Sequence, residues 1–194
     1  MSTSPIKIYI PRDAAALSVG AERVVKAVSD EAKKRGVGIE IIRNGSRGML
    51  WLEPLVEVAT TKGRVAYGPV QPKDVASLFD AKFFEGGSHA LAHGLTEEIP
   101  FFKNQERLTF QRVGVIDPLS LDDYIAHGGF AGLKKALALS GADIVQEVAD
   151  SGLRGRGVQA FRRASNGRPF SIRAPIKNTL SAMRMKAKIG RAHV

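Results

Sequence analysis

The 194-residue chain contains no cysteine, which excludes disulfides, thiolate metal sites and thiol redox chemistry. No apolar run approaches the ~20 residues a membrane-spanning helix needs. The N-terminal stretch MSTSPIKIYIPRD lacks the charged-then-apolar layout of a secretion signal. A cytoplasmic location with no membrane span is therefore expected. Acidic residues are missing from one region only. Residues 1–150 carry 18 basic and 19 acidic side chains, whereas residues 151–194 carry 11 basic and none acidic. The net charge of +10 thus belongs to the C-terminal stretch, and the body before it is balanced. A basic stretch can attract polyanions in a salt-dependent manner. No recognition module accompanies this one, so no specific nucleic-acid partner is expected.

What is present is an ordered series of elements. IKIYIP (6–11) alternates like a strand and stops at Pro11. From Ala14 to Arg35, apolar residues at Ala21, Val24, Val25, Val28 and Ala32 predict a helix ending in Lys33, Lys34 and Arg35, with Gly36 as its stop. GIEIIR (38–43) predicts a second strand. LVEVA (55–59) and RVAY (64–67) predict a hairpin over Thr60 to Gly63, and Pro72 opens a short helix to Leu78. Strand, helix, strand, loop, hairpin, helix is the thioredoxin-like plan, an α/β fold. Residues 85–107, with Gly, His and Pro, read as a linker. Beyond them come a short strand (RVGVI) and helices at 120–127, 130–139 and 142–150, the first capped by Ser120 or Asp122.

Each conspicuous residue group has a plain reading. His89 and His93 are spaced for a metal pair on a helix, but flanking glycines and the lack of a third ligand favour a loop. Asp122 and Asp123 are adjacent at a helix start, where capping is the ordinary role of such residues. Neither catalytic nor metal-ligating residues are expected. Trp51, beside Met49 and Leu50, is read as core filler in preference to a docking hot spot. SGLRGRG (151–157) places Gly155, Arg156 and Gly157 as the opening of a glycine loop, whose backbone N–H groups can approach an anion closely.

Two stretches carry a resemblance. NGSRGMLWLEPLVEV (44–58) resembles the second half of a thioredoxin-like ferredoxin. Ser46 and Leu50 stand where that family carries two cluster cysteines, with Gly48 and Pro54 at its glycine and proline. The earlier cysteine pair would fall at about Pro11 and Ala16, so all four cluster-ligand positions lack a thiolate. RVGVIDPLSLDDYIAHGGFAGLKKALALSGADIVQEVADSGLRGRG (112–157) resembles the opening of the NADH-binding flavoprotein subunit of respiratory complex I. The two in this order are similar to the beta subunit of soluble NAD-dependent formate dehydrogenases.

The resemblance implies four segments: a thioredoxin-like domain without cluster cysteines (1–84), a linker (85–107), the mainly helical start of an FMN/NADH-binding domain (108–157) and a disordered basic tail (158–194). It implies a parent oxidoreductase that passes electrons between NAD, FMN and iron–sulfur (4Fe-4S) clusters. The implied partners are a molybdenum-containing alpha subunit and an iron–sulfur gamma subunit. In that family the glycine loop continues as GAGFPTGIKW, with Gly155, Arg156 and Gly157 as cofactor-binding residues.

Codons can be written for 157–167 (GVQAFRRASNG) whose one-base-shifted reading restores GAGFPTGIKW. The same shift turns 176–187 into QKYIVCNADEG, similar to the family's next flavin-binding loop, and the terminal KIGRAHV spells a common sequencing adapter. The expectation is a fragment, out of frame after Gly157, that binds no cofactor and is inactive. The alternative is a cluster-free docking module that recruits electron-transfer subunits.

Overall fold

The structure, a computed structural model, describes residues 5–152. The expected tail at 158–194 and the loop residues Gly155, Arg156 and Gly157 lie outside the described residues. The described residues divide into two units, 5–128 and 129–152.

In the first unit, β1 (Ile6–Tyr9), β2 (Ile39–Ile42), β3 (Val56–Thr60), β4 (Gly63–Tyr67) and β5 (Ala92–Leu95) form one sheet in the order β2-β1-β3-β4-β5. β1 and β2 are parallel, with Ile6 opposite Ile39; the other pairings are antiparallel. A parallel pair needs a crossover, and α2 (Ala21–Arg35) supplies it. Its buried Ala21, Val24, Val28 and Ala32 recur at helical spacing and face the sheet. Lys33, Lys34 and Arg35 occupy the last turn, where cations suit the negative end of the helix, and Gly36 closes it at φ +67°. The strand–helix–strand half followed by hairpin and α3 (Val75–Asp80) is the thioredoxin-like plan expected from the order of elements.

The helix expected over 14–35 is two helices. α1 (Ala14–Ser18) is capped by Asp13, whose Oδ1 accepts from the Ala16 N–H at 3.0 Å. Gly20 then breaks the run at φ +102°, a conformation that side-chain-bearing residues avoid.

One face of the sheet meets α2 and α3 over the main core. Val56 and Val58 point into it, joined by Tyr67, Phe79 and Phe83. Phe83 is fully buried, with ring centroids of Phe79 and Tyr67 at 5.1 and 5.7 Å. The opposite face carries a smaller cluster of Met49, Leu52, Leu55, Ala66 and Phe102.

The expected linker at 85–107 is in fact part of this domain. β5 pairs with β4, with Val65 opposite Leu95 and Ala66 opposite Gly94. α4 (Pro100–Lys103) buries Phe102 against the second face. AHGL shows no alternation to betray a strand; the open edge of β4, with its unpaired backbone groups, recruits it. The strand expected at RVGVI is instead a run of turns, with Gly114 at φ +77°. Two of its carbonyls are taken by side chains, and it joins no ladder. The first unit then ends with α5 (Leu121–Ala126), capped by Ser120 as expected: its Oγ accepts from the Asp123 N–H at 3.1 Å. The break between units falls after Gly128.

In the second unit, α6 (Ala131–Leu137) and α7 (Gly141–Asp150) match the two expected helices to within a few residues. Ser140 caps α7, and a Lys135–Glu147 ion pair joins the two helices. Among the described residues neither helix buries a side chain fully.

Candidate functional site

Of the positions that carry the ferredoxin resemblance, Ser46 is tied to the 11–16 segment through Asp13. Pro11 and Ala16 are buried, whereas Leu50 is 60% exposed. Ser46 is the hub of a hydrogen-bonded group. Its N–H donates to Asp13 Oδ2 at 2.5 Å, its Oγ donates to Glu53 Oε1 at 2.6 Å, and the Gly48 N–H donates to that Oγ at 3.0 Å. Glu53 Oε2 accepts from the Leu55 N–H at 3.0 Å. Two carboxylates and a hydroxyl therefore satisfy the loop amides here. A cluster held by thiolates does not fit this set: no thiolate is available, and the one hydroxyl at a ligand position is already engaged.

Glu53 is 6% exposed, and burial pushes its carboxyl above the ordinary 4.5, with the nearby charges of Asp13 and Glu57 adding to the shift. The bonds from Ser46 and Leu55 oppose it. An acid whose folded-state value is raised holds its proton more tightly folded than unfolded. Its contribution to stability is therefore complete below about pH 4.5 and is lost as pH rises through the folded value. Glu53→Gln removes the buried charge, keeps the Leu55 N–H bond through its amide oxygen and replaces the Ser46 bond by one of reversed direction, the amide donating to Ser46 Oγ. It is expected to stabilise the domain by about 1 kcal/mol at neutral pH. The advantage should vanish near pH 4. Thermal unfolding of both chains across pH 4–8 checks this; a constant difference would contradict it.

A second buried polar group lies on the same face of the sheet. Glu57, 1% exposed, sits between Val56 and Val58 on β3 but points the other way. Arg47, 3% exposed, meets it with Nη2 at 3.0 Å and reaches Glu97 with Nη1 at 2.9 Å. Asn44 Nδ2 donates to Glu57 at 3.3 Å, and Arg64 stands 3.8 Å away with its guanidinium over the Tyr9 ring. Nothing in the sequence pattern singles this group out. An acid alternating with valines in a strand reads as solvent-facing, and the only available signal is the local surplus of arginines (Arg43, Arg47, Arg64) around it.

Trp51 is not core filler. It is 61% exposed, with Leu50 beside it, and its ring meets Phe101 edge-on at 5.3 Å. Met49, fully buried, is what fills the interior of this loop.

The two histidines do not share a helix: His89 lies in a loop as expected, whereas His93 lies in β5, where the pairing with β4 makes a strand of the expected loop. Leu91 N–H donates to His89 Nδ1 at 3.1 Å, and His89 Nε2 lies 3.1 Å from Ser77 Oγ. His93 Nε2 lies 2.9 Å from the Gly68 carbonyl. The two have separate partners, and among the described residues no group of three or more candidate ligands could hold a metal ion. Asp123 is structural: it accepts from the Asp117 N–H at 2.8 Å, while Asp122 sits in the first turn of α5.

No family model matches the chain. Over 59 residues it is 49% identical to the NADP-reducing hydrogenase subunit HndC of Solidesulfovibrio fructosivorans, covering 30% of this chain and 12% of that protein. Over 42 residues it is 50% identical to a subunit of the NADH-quinone oxidoreductase of Streptomyces coelicolor, covering 22% and 9%. The chain thus spans about a tenth of the length of these relatives. Part of this chain is therefore similar to subunits of oxidoreductases. Among solved structures, two of the thioredoxin-like [2Fe-2S] ferredoxin from Aquifex aeolicus superpose at 18% identity. One covers 47% of this chain and 99% of its own at a TM-score of 0.39, the other 50% and 98% at 0.41.

Proposed function

We propose that this chain is a piece of an electron-transfer oxidoreductase subunit, of the NADH-binding flavoprotein kind that serves soluble NAD-dependent formate dehydrogenases. The observation that carries the reading is the 49% identity over 59 residues to a hydrogenase subunit named for NADP reduction. The thioredoxin-like domain in the same chain supports it. The parent would use FMN, NAD and 4Fe-4S clusters and work in the cytoplasm beside a molybdenum-containing alpha subunit and an iron–sulfur gamma subunit. Such cofactors supply the hydride and electron chemistry, and the protein supplies binding and orientation. Gly155, Arg156 and Gly157 would form the near lip of the flavin-phosphate loop, and the rest of that loop would return only when the reading frame after Gly157 is restored. As written, this chain binds no FMN and has no activity.

A second reading is supported by the exposed Leu50–Trp51 pair beside Phe101. In it the domain is a cluster-free docking module that recruits electron-transfer subunits, with the aromatic as its anchor.

One experiment addresses both. FMN is titrated into this chain and into a frame-restored version, following flavin fluorescence, and each is offered a formate dehydrogenase alpha subunit in a pull-down. The flavoprotein reading expects quenching by the restored chain only. Quenching by the present chain would refute its inactivity, and none by the restored chain would refute the flavoprotein assignment. The docking reading expects capture by the present chain that Trp51→Ala abolishes; capture that survives Trp51→Ala, or none at all, would refute it.

A further inference from the structure

Residues 106–117 cross the second face of the sheet domain with almost no apolar anchor. Leu108 is 75% exposed and Phe110 64%, and only Ile116, at 8%, is a buried hydrophobic side chain. Side-chain donors aimed at the main chain hold the run in place. Asn44 Nδ2 lies 2.7 Å from the Gly114 carbonyl. Arg64 Nη1 lies 3.0 Å from the same oxygen, and its Nη2 2.6 Å from the Val115 carbonyl. From the run itself, Arg107 Nη2 reaches back 2.9 Å to the Arg47 carbonyl. The fit is close: a Cβ on Gly114 would stand 2.3 Å from Arg47 Cδ, and φ there is +77°.

Glu57 orients the donors. Its carboxylate takes Asn44 Nδ2, Arg47 Nε and Arg47 Nη2, and it lies within ion-pair distance of Arg64. The run therefore rests on polar grips set by a buried pair, and not on hydrophobic burial. Hydrogen bonds of this kind trade for water at modest net cost, whereas the apolar core does not. Segments with few buried apolar contacts open at lower free energy than the core around them.

We propose that residues 106–117 are a latch. Closed, the latch covers the Arg47–Glu57 pair and fixes the chain between the sheet and α5. Open, it leaves the sheet folded, frees the donors of Asn44 and Arg64, and converts that connection into a tether. The device is independent of the electron-transfer reading and stands or falls on the sheet domain alone.

Native-state hydrogen exchange of the full chain, read by mass spectrometry, tests it. The amides of Val113, Val115 and Ile116, bonded only within the run, should exchange about tenfold or more faster than those of β1, β3 and β4, with little dependence on low urea. Arg64→Met removes two charge-assisted bonds and should speed them about tenfold further while leaving the strand amides unchanged. Gly114→Ala should do the same by preventing the run from seating. If latch and strand amides exchange at one rate and respond to urea with one slope, the run opens only when the domain unfolds and the latch is refuted. The proposal also fails if both variants leave the ratio of latch to strand exchange where it was.

Discussion

Arg47→Ala is expected to lower the stability of the sheet domain by about 3–5 kcal/mol, the cost of stranding a buried charge. The partner left behind is Glu57, 1% exposed on a central strand, with β1 on one side and β4 on the other. Arg64 at 3.8 Å and the Asn44 amide at 3.3 Å are the donors that would remain, and both are also committed to the carbonyl of Gly114. The contact between Arg47 and the exposed Glu97 adds little to this loss. Domains are stable by only ~5–15 kcal/mol in total, so the variant should be close to unfolding at ambient temperature. Urea unfolding followed by circular dichroism measures it. Replacing both partners together, as Arg47→Met with Glu57→Leu, should recover most of the loss, because no charge is then left unpaired. A single-variant loss under about 1 kcal/mol would mean that water reaches Glu57.

Phe83→Ala is expected to cost about 3–5 kcal/mol, the range for truncating a buried aromatic. Phe83 is 0% exposed and touches three other rings, those of Tyr67, Phe79 and Phe84. Its neighbours cannot readily collapse into the space. The Tyr67 hydroxyl donates to the Gly87 carbonyl at 2.7 Å, which pins that ring, and a Cβ at Gly87 would already collide with the Ala81 carbonyl. The urea midpoint should therefore fall with no change in slope. Trp51→Ala is the internal comparison. An exposed aromatic truncated at 61% accessibility should move stability by no more than about 0.5 kcal/mol. If the two variants proved equally destabilising, the assignment of one ring to the core and the other to the surface would be wrong.

The places where local pattern and structure part company share a cause. For residues 92–95 and 112–116 a distant group decides against what the local pattern predicts. AHGL becomes a strand because β4 offers it an unpaired edge. RVGVI does not, because Asn44 and Arg64 capture its carbonyls from elsewhere in the sheet domain. Hydrophobicity places Trp51 inside, yet the volume it would fill belongs to Met49 and Phe102. The candidate site shows the same limit. That Pro11, Ala16, Ser46 and Leu50 exclude a thiolate-held cluster follows from residue types alone. That Asp13, Ser46 and Glu53 satisfy the loop in its place depends on bringing together segments more than thirty residues apart.

Residue order by itself determined the α/β plan, the crossover helix with its glycine stop and the confinement of net charge to the C-terminal stretch, and it narrowed the α5 cap to Ser120 or Asp122. These rest on periodicity, on backbone preferences of single residues and on counting, all of which are local or additive. Only the tertiary structure decided that residues 85–117 belong to the sheet domain, that Glu57 faces inward against Arg47, and that Trp51 faces out. Those outcomes depend on which backbone edge, charge or cavity a segment finds after the chain has folded back on itself, and no local pattern encodes the partner it will meet.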